Sequence, residues 1–336
     1  MSEPPPAPLP ERLPEPPSDS LPDGLSAAQI ARFRRDLELL TGAPPAALGI
    51  AVSGGGDSVA LLRLAQLAYP GVVLAATVDH GLRAESRAEA LHVAAICEAI
   101  GCPHAILDVD VPLEGEGLQA AARKARYLAL EDWAKGHGIA FILTAHHADD
   151  QAETLLMRLV RGAGLAGLAG VRASRNLPGG VRLVRPLLGW RRSELARIAG
   201  PLAPVTDPSN ADLRFDRVRM RSFLGTNDLF DPIALSRSAT ALAQCEEALD
   251  WIVDRLWGNA RHGDGVAFDA RGLPAEIKRR MLLRTIEQLS GGRPRGDEVQ
   301  RLIAALDRGE VATLSGVKCI GGLTWSFALA PPRRGE

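Results

Sequence analysis

Ser53-Gly54-Gly55-Gly56-Asp57-Ser58 follows the apolar run Leu48–Val52 and opens a helical pattern, and it carries the residue types an anion needs. Three glycines let backbone N–H groups approach a phosphate with no Cβ in the way. The helix N-terminus behind them adds free donors and the positive end of a dipole, and the hydroxyls of Ser53 and Ser58 add further hydrogen bonds. Asp57 can cap the helix or hold Mg²⁺ on the bound phosphates. The loop lacks the Gly-Lys-Ser/Thr ending of a Walker A sequence and the Gly-x-Gly-x-x-Gly spacing of a dinucleotide fold. It is therefore a phosphate loop of another kind.

Further polar groups stand at comparable strand-to-helix junctions. Asp79-His80 follows the next apolar run, where it can either cap a helix or face a ligand. Arg123 and Arg126 are three apart, on one helical face that suits phosphate or plain solvent. Ala145-His146-His147-Ala148-Asp149-Asp150-Gln151-Ala152-Glu153-Thr154 is the densest polar stretch. Asp149 and Glu153 are four apart, so two carboxylates can converge on an ammonium group or Mg²⁺. His146 and His147 point opposite ways along a strand and have no third partner, which disfavours a metal pair. Arg217 and Arg221, again four apart, offer adjacent guanidiniums to phosphate, or pair with Asp212 or Asp216 at the surface.

The elements that must position these groups are short apolar runs alternating with helical patterns. Strands are expected at Leu48–Val52, Val72–Val78, Ala105–Val109 and Ala140–Thr144. Helices are expected at Asp57–Ala68, Glu85–Ile100, Leu118–His137 and Asp149–Val160. This reads as an α/β fold, a mostly parallel sheet with helices on both faces, whose ligands sit beyond the C-terminal strand ends. A capped helix from Ser26 to Gly42 precedes it. Beyond it are a possible strand at Val181–Val184, a turn at Asp207-Pro208-Ser209-Asn210 and a helical stretch over 213–260. Helices near 275–289 and 296–307 and strands near 311–328 complete a small α+β end.

A chain of 336 residues, 46% hydrophobic and 24% charged, can bury a large core and divide into about two or three domains. Residues 1–24 hold nine prolines among Ser, Glu and Asp, a composition expected to stay disordered. A catalytic domain over 25–225 and a smaller region over 226–336 follow. The longest apolar run, Leu64–Val78, is interrupted by Pro70-Gly71 and too short for a bilayer span, and no signal sequence is evident, so a cytoplasmic protein without membrane contact is expected. Cys97, Cys102, Cys245 and Cys319 form no C-x-x-C pair and indicate neither zinc nor a redox dithiol. The net charge of −1 hides a bias: from Arg158 to Arg221 thirteen arginines and no lysine face four acidic residues. Any RNA contact is expected there.

The SGGxDS-type loop resembles that of the N-type ATP pyrophosphatases (PP-loop ATPases, Rossmann-like in fold), which release pyrophosphate and transfer AMP to a carbonyl oxygen. Over about residues 45–225 the chain is similar to one branch, the tRNA(Ile)-lysidine synthases. Val78-Asp79-His80-Gly81-Leu82-Arg83 looks like that family's VDHGLR, Ala122–Tyr127 like its ARxxRY helix, and Ala145–Thr154 like its AHHxDDQxET. Arg161-Gly162 and Arg185-Pro186-Leu187-Leu188 also match. Asp207–Asp212 with Phe215–Arg221 resembles DxSNxD…FxRNxxR, except that Val218 stands where the family usually carries Asn.

The resemblance implies ATP-dependent joining of lysine to the wobble cytidine of a CAU-anticodon tRNA(Ile), through an adenylated intermediate. Its partners would be that tRNA and L-lysine, its cofactors ATP and Mg²⁺; the oligomeric state stays open, a homodimer being one arrangement. Ser53, Gly54, Gly55, Gly56, Asp57, Ser58, Asp79, His80 and His146 would then face the nucleotide, with Asp57 also on Mg²⁺. Asp57, Asp149, Glu153 and Arg123 would serve catalysis, and Asp149, Glu153, Arg126, Arg217 and Arg221 would contact substrate. A tRNA thiolase of the same loop family is the nearest alternative enzyme, though its usual cysteines are missing. A non-catalytic nucleotide-binding RNA module is the alternative outside enzymes.

Overall fold

Ser26 caps the first helix as the sequence predicts. The backbone N–H of Gln29 donates to Ser26 Oγ at 3.3 Å, and the Ser26 N–H donates to Gln29 Oε1 at 2.9 Å. This helix, α1 (Ala27–Thr41), stops at Gly42, whose φ of 85° lies in the left-handed region that favours glycine. The computed structural model describes residues 25–81, 85–111, 117–202, 214 and 216–331. The tail 1–24, Leu82 and Arg83, the Asp207–Asn210 turn, Asp212 and Phe215 lie outside the described residues.

Strands and helices then alternate: β1 (Leu48–Ala51), α2 (Gly56–Ala68), β2 (Val73–Asp79), α3 (Ser86–Ala99), β3 (His104–Asp108), α4 (Leu118–Gly136), β4 (Phe141–Leu143) and α5 (Ala148–Val160). Next come α6 (Leu165–Leu168), β5 (Ser174–Asn176), β6 (Arg182–Val184), α7 (Arg192–Ala199) and α8 (Asp216–Gly225). The six-stranded sheet has the order β3-β2-β1-β4-β6-β5, parallel throughout except for β5, which runs antiparallel to β6 at one edge. The expected mostly parallel α/β fold is therefore present. Neither the β5 edge nor α7 figures in the sequence reading.

The chain winds outward from β1 through β2 to β3, then crosses back to β4 on the other side of β1. That reversal opens a crevice at the C-terminal ends of β1 and β4, where a doubly wound sheet takes its ligand. The glycine loop leaves β1 there, and His146-His147 leaves β4.

Two apolar clusters flank the sheet. Ile30, Phe33, Leu37, Leu61, Leu64, Leu143, Val184 and Ile198 belong to one; Leu130, Trp133, Ile142 and Leu183 belong to the other. Neighbours in sequence such as Ile142 and Leu143, or Leu183 and Val184, thus point to opposite faces, as the pleat requires.

Gly49, in the middle of β1, lets α4 approach. A Cβ there would stand 2.9 Å from Trp133 Cζ3 and 3.3 Å from Ile139 Cγ2. Gly49→Ala is expected to lower stability by about 1–3 kcal/mol through overpacking. Urea unfolding should show a lower midpoint at unchanged slope.

The chain divides into two compact units, Met1–Thr240 and Ala241–Glu336. α9 (Pro232–Gly258) contributes residues to both. The second unit carries β7 (Arg261–His262), β8 (Gly265–Asp269), α10 (Ala275–Ser290), α11 (Gly296–Asp307), β9 (Val311–Leu314), β10 (Val317–Ile320) and β11 (Thr324–Leu329). Its sheet is antiparallel in the order β7-β8-β11-β10-β9, with Met281, Leu282, Leu306, Trp325 and Phe327 in its core. The β7–β8 hairpin is absent from the sequence reading, because its first strand is only two residues long.

Candidate active site

The glycine loop is held by its own serines. Ser58 Oγ donates to the Gly55 carbonyl at 2.8 Å and accepts from the Ser53 N–H at 3.2 Å. Gly54 has φ of 85°, and Gly55 is the N-cap of α2 with no side-chain cap. The N-terminal donors of α2 are thus left to a ligand rather than used by a cap.

A chain of charged contacts runs from this loop into α5 and α8. His147 Nε2 lies 3.3 Å from Asp57 Oδ2. The His147 N–H donates to Asp150 Oδ2 at 3.1 Å, and the Asp150 N–H approaches His147 Nδ1 at 3.4 Å, a reciprocal cap of α5. Arg217 bridges Asp150 Oδ1 and Glu153 Oε2, both at 2.7 Å, while Arg221 Nε donates to Glu153 Oε1 at 2.8 Å. Glu153 is 1% exposed, a buried carboxylate enclosed by two guanidiniums.

Asp149 takes the Arg192 N–H at 2.8 Å and lies 3.3 Å from Arg191 Nη2. Asp149 and Glu153 therefore share no partner among the described residues; Asp150 is the carboxylate that shares Arg217 with Glu153. Arg217 and Arg221 both face Glu153, and Arg161 pairs with Asp216 at 2.6 Å.

Asp79, His80 and Arg126 form a second set beyond β2. Asp79 Oδ1 accepts from Ser86 Oγ at 2.7 Å and from the Gly81 N–H at 3.0 Å, and these bonds hold its carboxyl below the usual range. Arg126 Nε donates to His80 Nε2 at 3.3 Å, and His80 Nδ1 is enclosed without a hydrogen-bond partner among the described residues. Burial and the Arg126 charge push the His80 pKa down. A cavity of about 410 Å³ opens beside this set, lined by Asp79, His80, Gly81 and Asp108 to Val111. Arg123 belongs to a third set, 5.1 Å above the Tyr127 ring. His146, next to Thr144 Oγ1 at 3.1 Å, is pushed down to about 4 by burial and by Arg185, Arg217 and Arg123, against the opposing pull of Asp150. It is a neutral imidazole at neutral pH.

A PP-loop domain profile matches residues 27–227. A protein of Novosphingobium aromaticivorans named tRNA(Ile)-lysidine synthase is 47% identical over 94% of this chain and 97% of its own length. One of the same name from Zymomonas mobilis is 43% identical over 85% of this chain and 89% of its own. The chain belongs to the tRNA(Ile)-lysidine synthase family. Among solved structures, the U34-tRNA thiolase NcsA of Methanococcus maripaludis aligns over 65% of this chain and 79% of its own, with a TM-score of 0.54 and 18% identity. That likeness concerns the fold alone.

Within this lysidine synthase fold, the sequence reading does not single out Asp150, Arg191, Arg192 or the His147–Asp57 contact. The three-residue spacing of His147 and Asp150 is a capping-box signal that could have found one of them. Arg191 and Arg192 gave no signal, being more than forty residues from Asp149 in sequence.

The His147–Asp57 contact carries a pH prediction. Burial opposes charge on His147, but Asp57, Asp150 and Asp149 outweigh it and raise its pKa above 6.5. Burial also opposes charge on Asp57, but the hydrogen bond and charge of His147, with Arg192 and Arg221, outweigh it and lower its pKa below 3.8. The raised histidine stabilises fully below its unfolded value and loses that contribution as pH climbs through the folded one. The lowered aspartate does so above its unfolded value and loses it as pH falls. The pair thus stabilises most between about pH 4 and 6.5. His147→Asn should lose more stability near pH 5.5 than near pH 9. Equal losses at both pH values, read by urea unfolding, would sink the pairing.

Proposed function

We propose that the chain joins L-lysine to C2 of the wobble cytidine of the CAU-anticodon tRNA(Ile), consuming ATP and releasing AMP and pyrophosphate. The observation that carries this reading is the match to lysidine synthases over nearly the whole chain. The connected set from Ser53 through Asp57 and His147 to Glu153 supports it. A PP-loop facing carboxylates at the switch point of the sheet suits a reaction with a phosphate leaving group and a cationic second substrate.

The cytidine carbonyl oxygen attacks the α-phosphorus of ATP, and the bond to pyrophosphate breaks. The donors at the α2 N-terminus, with Gly54, Gly55 and Gly56, hold the departing pyrophosphate where its charge grows. The adenylated C2 is then attacked by an amine of lysine, and AMP leaves. Asp149, Asp150 and Glu153 supply negative charge for the lysine ammonium group, so that lysine competes with the arginines now on those carboxylates.

Mg²⁺ commonly binds through one or two carboxylates together with substrate phosphates and waters. Asp57, beside the loop, fits that mode, and it would hold the ion that neutralises the phosphates. Asp79, His80 and the adjoining cavity are assigned to the nucleoside. Residues 226–336 are assigned to contact with the tRNA body, and the enzyme to the cytoplasm. No helix among the described residues is long and apolar enough to cross a membrane.

Incubation with ATP, Mg²⁺, radiolabelled lysine and a panel of tRNA transcripts tests the reading. Label in the CAU-anticodon tRNA(Ile) alone is expected. AMP release without lysine incorporation would favour a different acceptor chemistry.

A further inference from the structure

Arg185, just past the end of β6, is 2% exposed, and it is a buried guanidinium without a carboxylate partner among the described residues. Its Nη1 donates to the Arg172 carbonyl at 2.5 Å and the guanidinium also hydrogen-bonds the Tyr127 side chain, while its Nε is enclosed and has no acceptor among the described residues. A guanidinium has five N–H donors, so this one is short of acceptors as well as of a counter-charge. A buried charge left in that condition is strongly unfavourable.

Its neighbours make matters worse in the absence of a ligand. Tyr127 lies beside Arg185. Arg175 of β5 stands 4.4 Å over the Tyr127 ring and Arg123 of α4 stands 5.1 Å from it. Neither has an ion-pair partner among the described residues. The aromatic face attracts each cation, yet three guanidiniums around one ring repel one another. Both Arg175 and Arg123 act against the charge on Arg185. Other arginines of this unit meet carboxylates, Arg217 and Arg221 at Glu153, Arg191 at Asp149 and Arg161 at Asp216, or backbone carbonyls, as Arg63, Arg158 and Arg182 do.

We propose that Arg123, Arg175 and Arg185, gathered around Tyr127, form a phosphate-binding site separate from the glycine loop. The assignment rests on the function proposed above, which supplies two phosphate sources, the tRNA backbone and ATP. Guanidinium donors suit either, because their planar fork matches two phosphate oxygens at once. The side chains come from α4, β5 and the end of β6, so the antiparallel edge strand acquires a purpose: it carries Arg175 to the ring. His146, held neutral by burial and then by the positive charge of Arg185, Arg217 and Arg123, adds no charge of its own.

Arg175→Ala and Arg185→Met are compared with wild type in two titrations: tRNA(Ile) transcript at several salt concentrations without ATP, and ATP without tRNA, read by thermal shift. Arg175 is exposed, so its variant keeps the fold and decides the matter. If the phosphate belongs to RNA, Arg175→Ala weakens tRNA binding several-fold and lowers the salt slope by roughly one contact, with the ATP curve unchanged. If it belongs to ATP, the ATP curve shifts several-fold and the tRNA curve stays. Arg185→Met should weaken the same ligand, while the ligand-free protein melts no lower than wild type, since an uncompensated charge has been removed. Two unchanged curves for Arg175→Ala overturn the site, and an Arg185→Met protein that melts several degrees lower would then mark the cluster as structural. Wild-type protein that binds neither ligand would instead sink the proposed function, and this assignment with it.

Discussion

Replacing Gly55 by valine is expected to abolish ATP consumption while the protein still folds. Gly55 is the N-cap of α2 with φ of −68° and ψ of 156°, an extended conformation that valine adopts readily. The space around it is open as well: an added Cβ meets nothing closer than Ser53 Oγ at 3.8 Å. The fold therefore has no objection to the side chain. A phosphate does, because the branched methyl groups would fill the space beside the α2 N-terminal donors. Losing such preorganised donors to a leaving group slows catalysis by ~100-fold or more. AMP release by the variant, measured with tRNA and lysine saturating, should fall to that extent at an unchanged melting temperature. Normal turnover in a folded variant would remove the loop from the mechanism.

That loop was legible because its signal is local. Glycines, a preceding apolar strand and a following helix lie within about twenty residues, and backbone geometry alone turns them into an anion cradle. The βα alternation was legible for a similar reason, since strands buried on both faces read as continuous apolar runs such as Leu48–Val52. β5 was not, because Ser174-Arg175-Asn176 is a polar, exposed edge strand without hydrophobic periodicity. α7 was hidden by the surrounding arginines, although Leu195, Ile198 and Ala199 are buried in the main core. The electrostatic pairing was the least legible part. Sequence placed Asp149 and Glu153 on one helical face, and Arg217 and Arg221 on another. That Glu153 joins both arginines across more than sixty residues follows only from the docking of α8 on α5.

Glu153→Gln is the second large effect, and the structure changes what to expect from it. From sequence alone, a carboxylate awaiting a cationic substrate can be neutralised at constant volume with activity lost and stability retained. Glu153, however, is buried and accepts from Arg217 and Arg221 at 2.7 and 2.8 Å. An amide accepts through one oxygen only, and its NH₂ group would face a guanidinium. Removing one member of a fully buried pair costs about 3–5 kcal/mol. Here both arginines reach solvent, at 46% and 31% side-chain exposure, so a loss of about 1–2 kcal/mol is expected after discounting for screening. Asp150 retains Arg217 and limits the damage. Activity should fall further than stability, because the vacated guanidiniums and the missing charge both oppose an incoming ammonium group. The decisive measurement is lysine dependence: the lysine concentration for half-maximal rate should rise at least ~10-fold, equivalent to about 1.4 kcal/mol, with ATP dependence little changed. A variant that melts lower but keeps the wild-type lysine dependence would make Glu153 a clamp between α5 and α8 with no part in holding the amino acid.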